Sequence, residues 1–260
     1  MPASPLVTWI RRRQVELALA FSLLTRLPVP TVAAADVTSV GNYVWAFPLA
    51  GLAVGSIGAV ACWLAIGFGA SHSIAALAAM AATMLASGAL HEDGLADFWD
   101  GIGGGRTRAR KLEIMRDSGI GSYGAIALFV VLAARLAALS SLADFHQMAA
   151  ALVLAHTAGR GMLALVFEFW RPARKDGLAA AAGGSWLRAV MAILLTAVIG
   201  LAFAEPPITL AAVLAAALAI VAVAKLAARQ LGGYTGDVLG AAEQTAEALV
   251  LIAVSAALSR

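Results

Sequence analysis

The chain has 260 residues, of which 62% are hydrophobic and only 13% charged, and its formal net charge is +3. An ordinary soluble domain carries about 45–50% apolar and about 25% charged residues, so this composition excludes a soluble globular enzyme and points to an all-α, polytopic membrane bundle. The small positive excess is gathered in a few loops, which speaks for topology and anionic ligands and against nucleic acid.

The first element carries Arg11, Arg12 and Arg13, then an apolar stretch over 15–24 interrupted by Glu16 and closed by Arg26 and the Pro28-Val29-Pro30 turn. Basic and then apolar residues follow the order of a signal peptide. The stretch is short of the ~20 residues needed to cross, and its flanking charges suit a helix lying in the interface. Apolar runs at 43–67, 73–90, 121–142, 148–169, 187–204 and 208–224 could cross, and a last one at 238–259, apolar chiefly beyond Glu247, brings the total to about seven spans. They are continuous and rich in Ala and Leu, which suits helices and not barrel strands. The lone cysteine, Cys62, lies inside the first of them and reads as a small buried hydrophobe.

Two kinds of loop separate the runs. Residues 68–72, 143–147 and 205–207 are short and carry almost no Lys or Arg, whereas 91–118, 171–188 and 225–237 hold nearly all the positive charge. With the first helix in the interface, the two kinds alternate as the positive-inside rule asks, and the charged loops face the cytoplasm. The whole of 1–260 reads as one membrane-embedded domain.

The stretch 91–124, HEDGLADFWDGIGGGRTRARKLEIMRDSGIGSYG, is the polar heart of the chain. Asp93, Asp97 and Asp100 are spaced i, i+4, i+7, so on a helix they form one stripe. Three carboxylates so close repel one another, and a hard divalent cation such as Mg²⁺ relieves that repulsion while keeping positions for water and phosphate. His91 and Glu92 point to other sides. Gly103, Gly104 and Gly105 allow a sharp turn that would present amides to an anion. Arg106, Arg110 and Arg116 supply charge for a diphosphate, and Asp117 is placed to close a metal site as a fourth carboxylate.

Inside the runs, Gly51 and Gly55 form a GxxxG suited to close helix contact. His156 and Arg160 share a face, with a phosphate or an aspartate expected as the arginine's partner, while Arg135 is expected to snorkel. Trp9, Trp45, Trp170 and Trp186 near run ends suit an interfacial belt. A last polar island, 231–247, sets Asp237 after three glycines and puts Glu243 and Glu247 four apart, as a second acidic site or, for Asp237, a helix cap.

These motifs together, HEDGLADFWDG, GGGR and LEIMRDSGIGSYG with FSLLTRLPVP at 21–30, FPLAGLAVG at 47–55 and GGYTGDVLGA at 232–241, resemble the cobalamin synthase family, the adenosylcobinamide-GDP ribazoletransferases. The resemblance covers nearly the whole chain in order. Family members often carry HLDG where this chain has Glu92, and a small residue where it has Phe98 and Trp99; these departures lie off the aspartate stripe. The resemblance implies a Mg²⁺-dependent transferase of a prokaryotic inner membrane, acting late in adenosylcobalamin assembly. It would join α-ribazole, or its 5′-phosphate, to adenosylcobinamide-GDP and release GMP. It further implies that Asp93, Asp97, Asp100 and Asp117 hold one or two Mg²⁺, with Asp100 or Asp117 taking the proton of the attacking hydroxyl. Arg106, Arg110, Arg116 and Arg160 would clamp phosphates, and Asp237 would bind metal or ribazole. Other corrinoid-assembly enzymes or a second copy are the protein partners it suggests.

The spaced aspartates are also similar to those of the CDP-alcohol phosphotransferases, whose closing DxxxD this chain lacks. A transporter is the more distant alternative, and would show internal repeats and mid-span polar groups.

Overall fold

The computed structural model describes residues 5–30, 39–174 and 183–258; residues 175–182 of the second basic loop lie outside them. The described residues fold into eleven α-helices: α1 Pro5–Leu24, α2 Phe47–Gly67, α3 His72–Ser87, α4 Leu90–Gly104, α5 Arg108–Ile114, α6 Ser122–Ser140, α7 Phe145–Met162, α8 Ala164–Phe169, α9 Trp186–Phe203, α10 Pro206–Leu231 and α11 Gly236–Leu258. Six stretches are long and apolar enough to cross a membrane: Val44–Gly67, Ser122–Ser140, Phe145–Phe169, Trp186–Phe203, Pro206–Leu231 and Gly236–Leu258. The chain is thus a helical membrane protein.

Local chemistry sets the helix ends. Prolines open α2 and α10, where a missing N–H costs nothing. The Asp144 side chain caps α7 by accepting the Gln147 N–H at 2.9 Å. Gly232, at φ 78°, closes α10 in the left-handed region.

α7 is the axis of the bundle, buried along most of its length. α2 packs against it through the GxxxG: a Cβ on Gly51 would run into the His156 carbonyl, and one on Gly55 would lie 2.8 Å from the Val153 Cα. That expectation of close contact is met. Large apolar side chains on the outer faces of α6, α9 and α10, such as Phe129, Val198 and Leu218, are exposed, as lipid-facing residues are.

Two expectations change. The run at 73–90 is broken near its end: α3 has 16 residues, and the chain turns by 88° into α4, so together with α4 it adds a seventh crossing only as one bent span. Gly88 (φ 68°) and Ala89 (φ 54°) make this corner in consecutive left-handed conformations. A Cβ on Gly88 would collide with the Arg26 side chain, and the Arg26 N–H donates to the Ala86 carbonyl at 2.7 Å. Beyond this corner, the aspartate stripe of α4 lies outside the six membrane-length stretches. The first helix is also longer than read, at 20 residues, and takes the three arginines inside it. Its Glu16 is fully buried and paired with Arg13 and with Arg188 of α9, each at 2.7 Å, while the Trp45 indole donates to it at 2.7 Å.

The charged loops meet at one end. Arg108 donates to the Leu231 and Ala173 carbonyls at 2.6 and 2.7 Å, Arg174 to the Leu112 carbonyl at 2.8 Å, and Lys111 to the Gln230 side chain. The Tyr234 N–H reaches the Arg171 carbonyl at 3.0 Å, and the Ala173 N–H returns to Tyr234 at 2.7 Å. His146, Glu205 and Leu258 line one cavity elsewhere, which brings two of the short loops and the last helix end together.

Candidate functional site

α4 reaches α11 without a side chain in between. A Cβ on Gly94 would lie 3.1 Å from the Asp237 Cα, and one on Gly240 would lie 3.0 Å from the Gly94 Cα. This contact sets Asp93 and Asp97 of α4 beside Asp237, in the first turn of α11. Asp93 and Asp237 line the same cavity. Asp97 is held well up, at about 6, first by burial and then by the charges of Asp93, Asp237 and Asp100, with Arg174 opposing them. Mutual repulsion of this kind is what a divalent cation would relieve.

Asp237 therefore joins the stripe more directly than expected, and it is not the helix cap. Thr235 fills that role, accepting the Val238 N–H at 3.3 Å while its hydroxyl donates to Asp237 at 3.1 Å. Asp117, expected as the fourth carboxylate, lies in an exposed turn and accepts the Gly119 N–H at 3.2 Å. Asp100 is on the stripe but has another task. Its two oxygens accept the Gly121 N–H at 2.7 Å and the Gly124 N–H at 2.9 Å, holding the start of α6. A Cβ on Gly121 or Gly124 would strike that carboxylate, so glycine at both positions lets the backbone approach.

The glycine run does not form an anion-binding turn. Gly103 and Gly104 continue α4, and the Gly105 N–H donates to the Gly101 carbonyl at 3.2 Å, so a helix C-terminus with its carbonyls ends here. The glycines serve packing instead: a Cβ on Gly103 would enter the Tyr123 ring, and one on Gly105 would lie 2.7 Å from the Lys111 backbone nitrogen.

Arg106, Arg110 and Arg116 are exposed at the charged end, with Arg110 paired to Glu113 at 2.9 Å. Arg160 is elsewhere. It is 1% exposed and grips Glu243 at 2.5 Å and Glu247 at 2.7 Å, so glutamates and not a phosphate are its partners. Arg174 lies close enough for its charge to act on both Asp97 and Asp237. No motif flagged it, because it is one basic residue among several in the loop 171–188.

Beneath the aspartates lies a buried ionic core. Arg135 does not snorkel: it pairs with Glu247 at 2.7 Å, donates to Gln244 at 2.5 Å and stands 3.6 Å from Glu92. His91 faces Glu243 at 3.4 Å and Arg160 at 3.3 Å. Glu243 and Glu247 are thus the anions of this core and not a second acidic site. Among the described residues, His156, Glu243 and Glu247 are the one group whose ligand atoms all come within 4.8 Å. The Arg160 guanidinium already lies against all three, so the cation there is supplied by the chain. Through His91 and Glu92 the core fastens the inner face of α4 to α6, α7 and α11, which leaves the aspartate face turned outward.

The aspartates are not drawn into one tight shell among the described residues. Mg²⁺ takes one or two carboxylates and fills its remaining positions with water and phosphate oxygens. Asp93, Asp97 and Asp237 carry the oxygen donors that a hard divalent cation takes.

Residues 16–255 match the family described as cobalamin-5-phosphate synthase. The chain is 43% identical over 248 residues to a protein of Bradyrhizobium diazoefficiens, covering 95% of each. It is 44% identical over 246 residues to one of Mesorhizobium japonicum, covering 94% of each. A protein of Ralstonia nicotianae is 41% identical over 239 residues, covering 90% of this chain and 92% of the relative. All three are named adenosylcobinamide-GDP ribazoletransferase. No solved structure matches. A match that takes in the aspartate stripe, the ionic core and Asp237 alike places this chain in the cobalamin-5-phosphate synthase family.

Proposed function

We propose that the chain joins α-ribazole, or its 5′-phosphate, to adenosylcobinamide-GDP and releases GMP, with Mg²⁺ at Asp93, Asp97 and Asp237. The observation that carries the reading is the crowding of these three carboxylates at the Gly94–Gly240 contact. The family and its named relatives supply the reaction class.

In the reaction, an oxygen of the ribazole attacks the phosphorus carried by the corrinoid side chain. The bond from that phosphorus to the GMP oxygen breaks, and the proton of the attacking hydroxyl leaves to a base. Mg²⁺, when bound, supplies positive charge to the diphosphate oxygens and to the departing phosphate. Asp97 suits the base better than Asp100, since both Asp100 oxygens already accept amide hydrogens. Arg174 is the cation best placed to steady the diphosphate, with Arg106, Arg110 and Arg116 drawing the anionic substrate to the same end. The ionic core keeps α4 from shifting as the charge of the substrate arrives.

By the positive-inside argument, the charged end faces the cytoplasm of a prokaryotic inner membrane, where soluble nucleotide substrates are found. Asp117 remains a proposal for a second cation. Phospholipid synthesis from a CDP-alcohol is the second reading, on the spacing of the aspartates alone.

Following GMP release by purified protein in nanodiscs, with and without Mg²⁺, tests the reading. Mg²⁺-dependent GMP that vanishes in Asp97→Asn is the expected result. CMP from a CDP-activated lipid, with no GMP, would overturn it.

A further inference from the structure

Three arginines converge on one carboxylate where α1 crosses the start of α9. The two oxygens of the fully buried Glu16 take Arg12 at 3.2 Å, Arg13 at 2.7 Å, Arg188 at 2.7 and 3.2 Å and the Trp45 indole N–H at 2.7 Å. Among the described residues no second carboxylate forms an ion pair with these arginines, so three guanidiniums less one carboxylate leave two positive charges uncompensated. Burial lowers the Arg13 guanidinium from its ordinary value; Glu16 opposes this, and the charges of Arg188 and Arg12 lower it further. Donors are also to spare. Arg12, with its side chain 55% exposed, gives Glu16 its Nε, and the Arg13 Nε is buried without a hydrogen-bond partner. The Arg13 guanidinium is held between two rings, 5.8 Å from that of Trp9 and 5.9 Å from that of Trp45.

Depth identifies the partner. Two membrane-length stretches, Val44–Gly67 and Trp186–Phe203, begin at this cluster, with Trp45 at the start of one and Arg188 at the start of the other. The cluster therefore sits at a membrane boundary, level with the headgroups. On the same helix starts Leu6, Trp9, Ile10, Trp186 and Leu187 expose large apolar side chains. We propose that Arg12, Arg13 and Arg188 bind the phosphate of one anionic phospholipid, with Trp9 and Trp186 against its glycerol and upper acyl chains. Guanidinium forks match phosphate oxygens, and a leaflet rich in anionic lipid supplies them at this depth. A free anion or an acidic protein segment would meet the charge and leave the exposed tryptophans and leucines in water. The site is distinct from the aspartate cluster and does not depend on the transferase reading. Its bearing on that cluster runs along α1, which carries Leu23 and Leu24 to the wall of the cavity lined by Asp93 and Asp237, about 16 Å along the helix from Arg13. A lipid held at the start of α1 thus ties that wall to the membrane without entering it.

The full chain in neutral detergent, mixed with phosphatidylglycerol or with phosphatidylcholine of the same acyl chains, is followed by native mass spectrometry. The first phosphatidylglycerol should bind roughly 10-fold tighter than the first phosphatidylcholine, whose own ammonium neutralises its phosphate, and inorganic phosphate at matched ionic strength should not displace it. Arg13→Gln should weaken the anionic lipid roughly 10-fold and Arg12→Gln, at an exposed position, roughly 5-fold. Arg11→Gln removes the same charge from a side chain about 140° round the helix from Glu16, and should cost less than either. Equal affinity for the two lipids, release of the lipid by inorganic phosphate, or equal losses in Arg11→Gln and Arg12→Gln overturns the assignment. The native protein and the Arg11 and Arg12 variants decide the matter even where Arg13→Gln does not fold.

Discussion

Gly94 of α4 and Gly240 of α11 meet backbone to backbone, so closely that a Cβ on Gly240 would come within 3.0 Å of the Gly94 Cα. The aspartates either side of this contact owe their proximity to two absent side chains. Gly240→Ala should push α4 outward, at an overpacking cost of about 1–3 kcal/mol. Because the carboxylates then separate, GMP formation should fall by roughly 10²-fold. Thermal unfolding and initial rates, measured on one preparation, check both figures; a variant with native activity shows that the spacing does not matter.

Asp97 and Asp100 stand on one stripe yet should respond in opposite ways. Asp97→Asn removes a like charge and should leave the melting temperature at or above the native value, while activity drops by about 10²-fold or more. Asp100→Ala leaves two amides at the start of α6 without their acceptor and should cost about 1–3 kcal/mol of stability. Comparing Tm and turnover of the pair separates the roles.

Arg160→Gln strands Glu243 and Glu247 in the bundle and should destabilise the protein by about 3–5 kcal/mol. Adding Glu243→Gln removes one of the stranded charges and should restore part of that loss. A double variant no more stable than the single one would count against a paired core.

Cation affinity should depend on pH through Asp97, whose carboxyl is held up from 3.8 to about 6. Protons compete with the metal below that value, so Mn²⁺ binding followed by electron paramagnetic resonance should weaken as the pH falls through about 6. Without cation the linkage runs the other way. A raised carboxyl adds stability that is fully present below its unfolded value and is lost as the pH rises through about 6. Asp97→Asn should flatten both profiles.

Arg174→Ala should raise the KM for adenosylcobinamide-GDP by roughly 10-fold and leave that for the nucleoside unchanged, since its charge acts on the carboxylate cluster that would meet the diphosphate. Arg110→Ala, exposed and paired with Glu113, should change either constant little at physiological salt.

By itself the sequence determined the membrane class, most of the crossings, the GxxxG contact and the helical stripe of Asp93, Asp97 and Asp100. These depend on composition and on the period of a single helix, which are local properties. It also carried the family resemblance, because motif order survives without coordinates. Tertiary structure alone decided what each charged group faces. Asp100 turned out to hold α6 because two glycines, 21 and 24 residues further on, let the backbone reach it. The glycines 103–105 read as an anion turn, but Gly103 and Gly104 continue a helix that Gly105 closes, and Tyr123 and Lys111 pack where Cβ atoms on Gly103 and Gly105 would have been. Arg135 and Arg160, read against solvent and phosphate, found glutamates on α11 across the bundle. Pairing of buried charges is settled by which helices touch, and helix contacts between residues 87 or 112 positions apart leave no periodic trace in the chain.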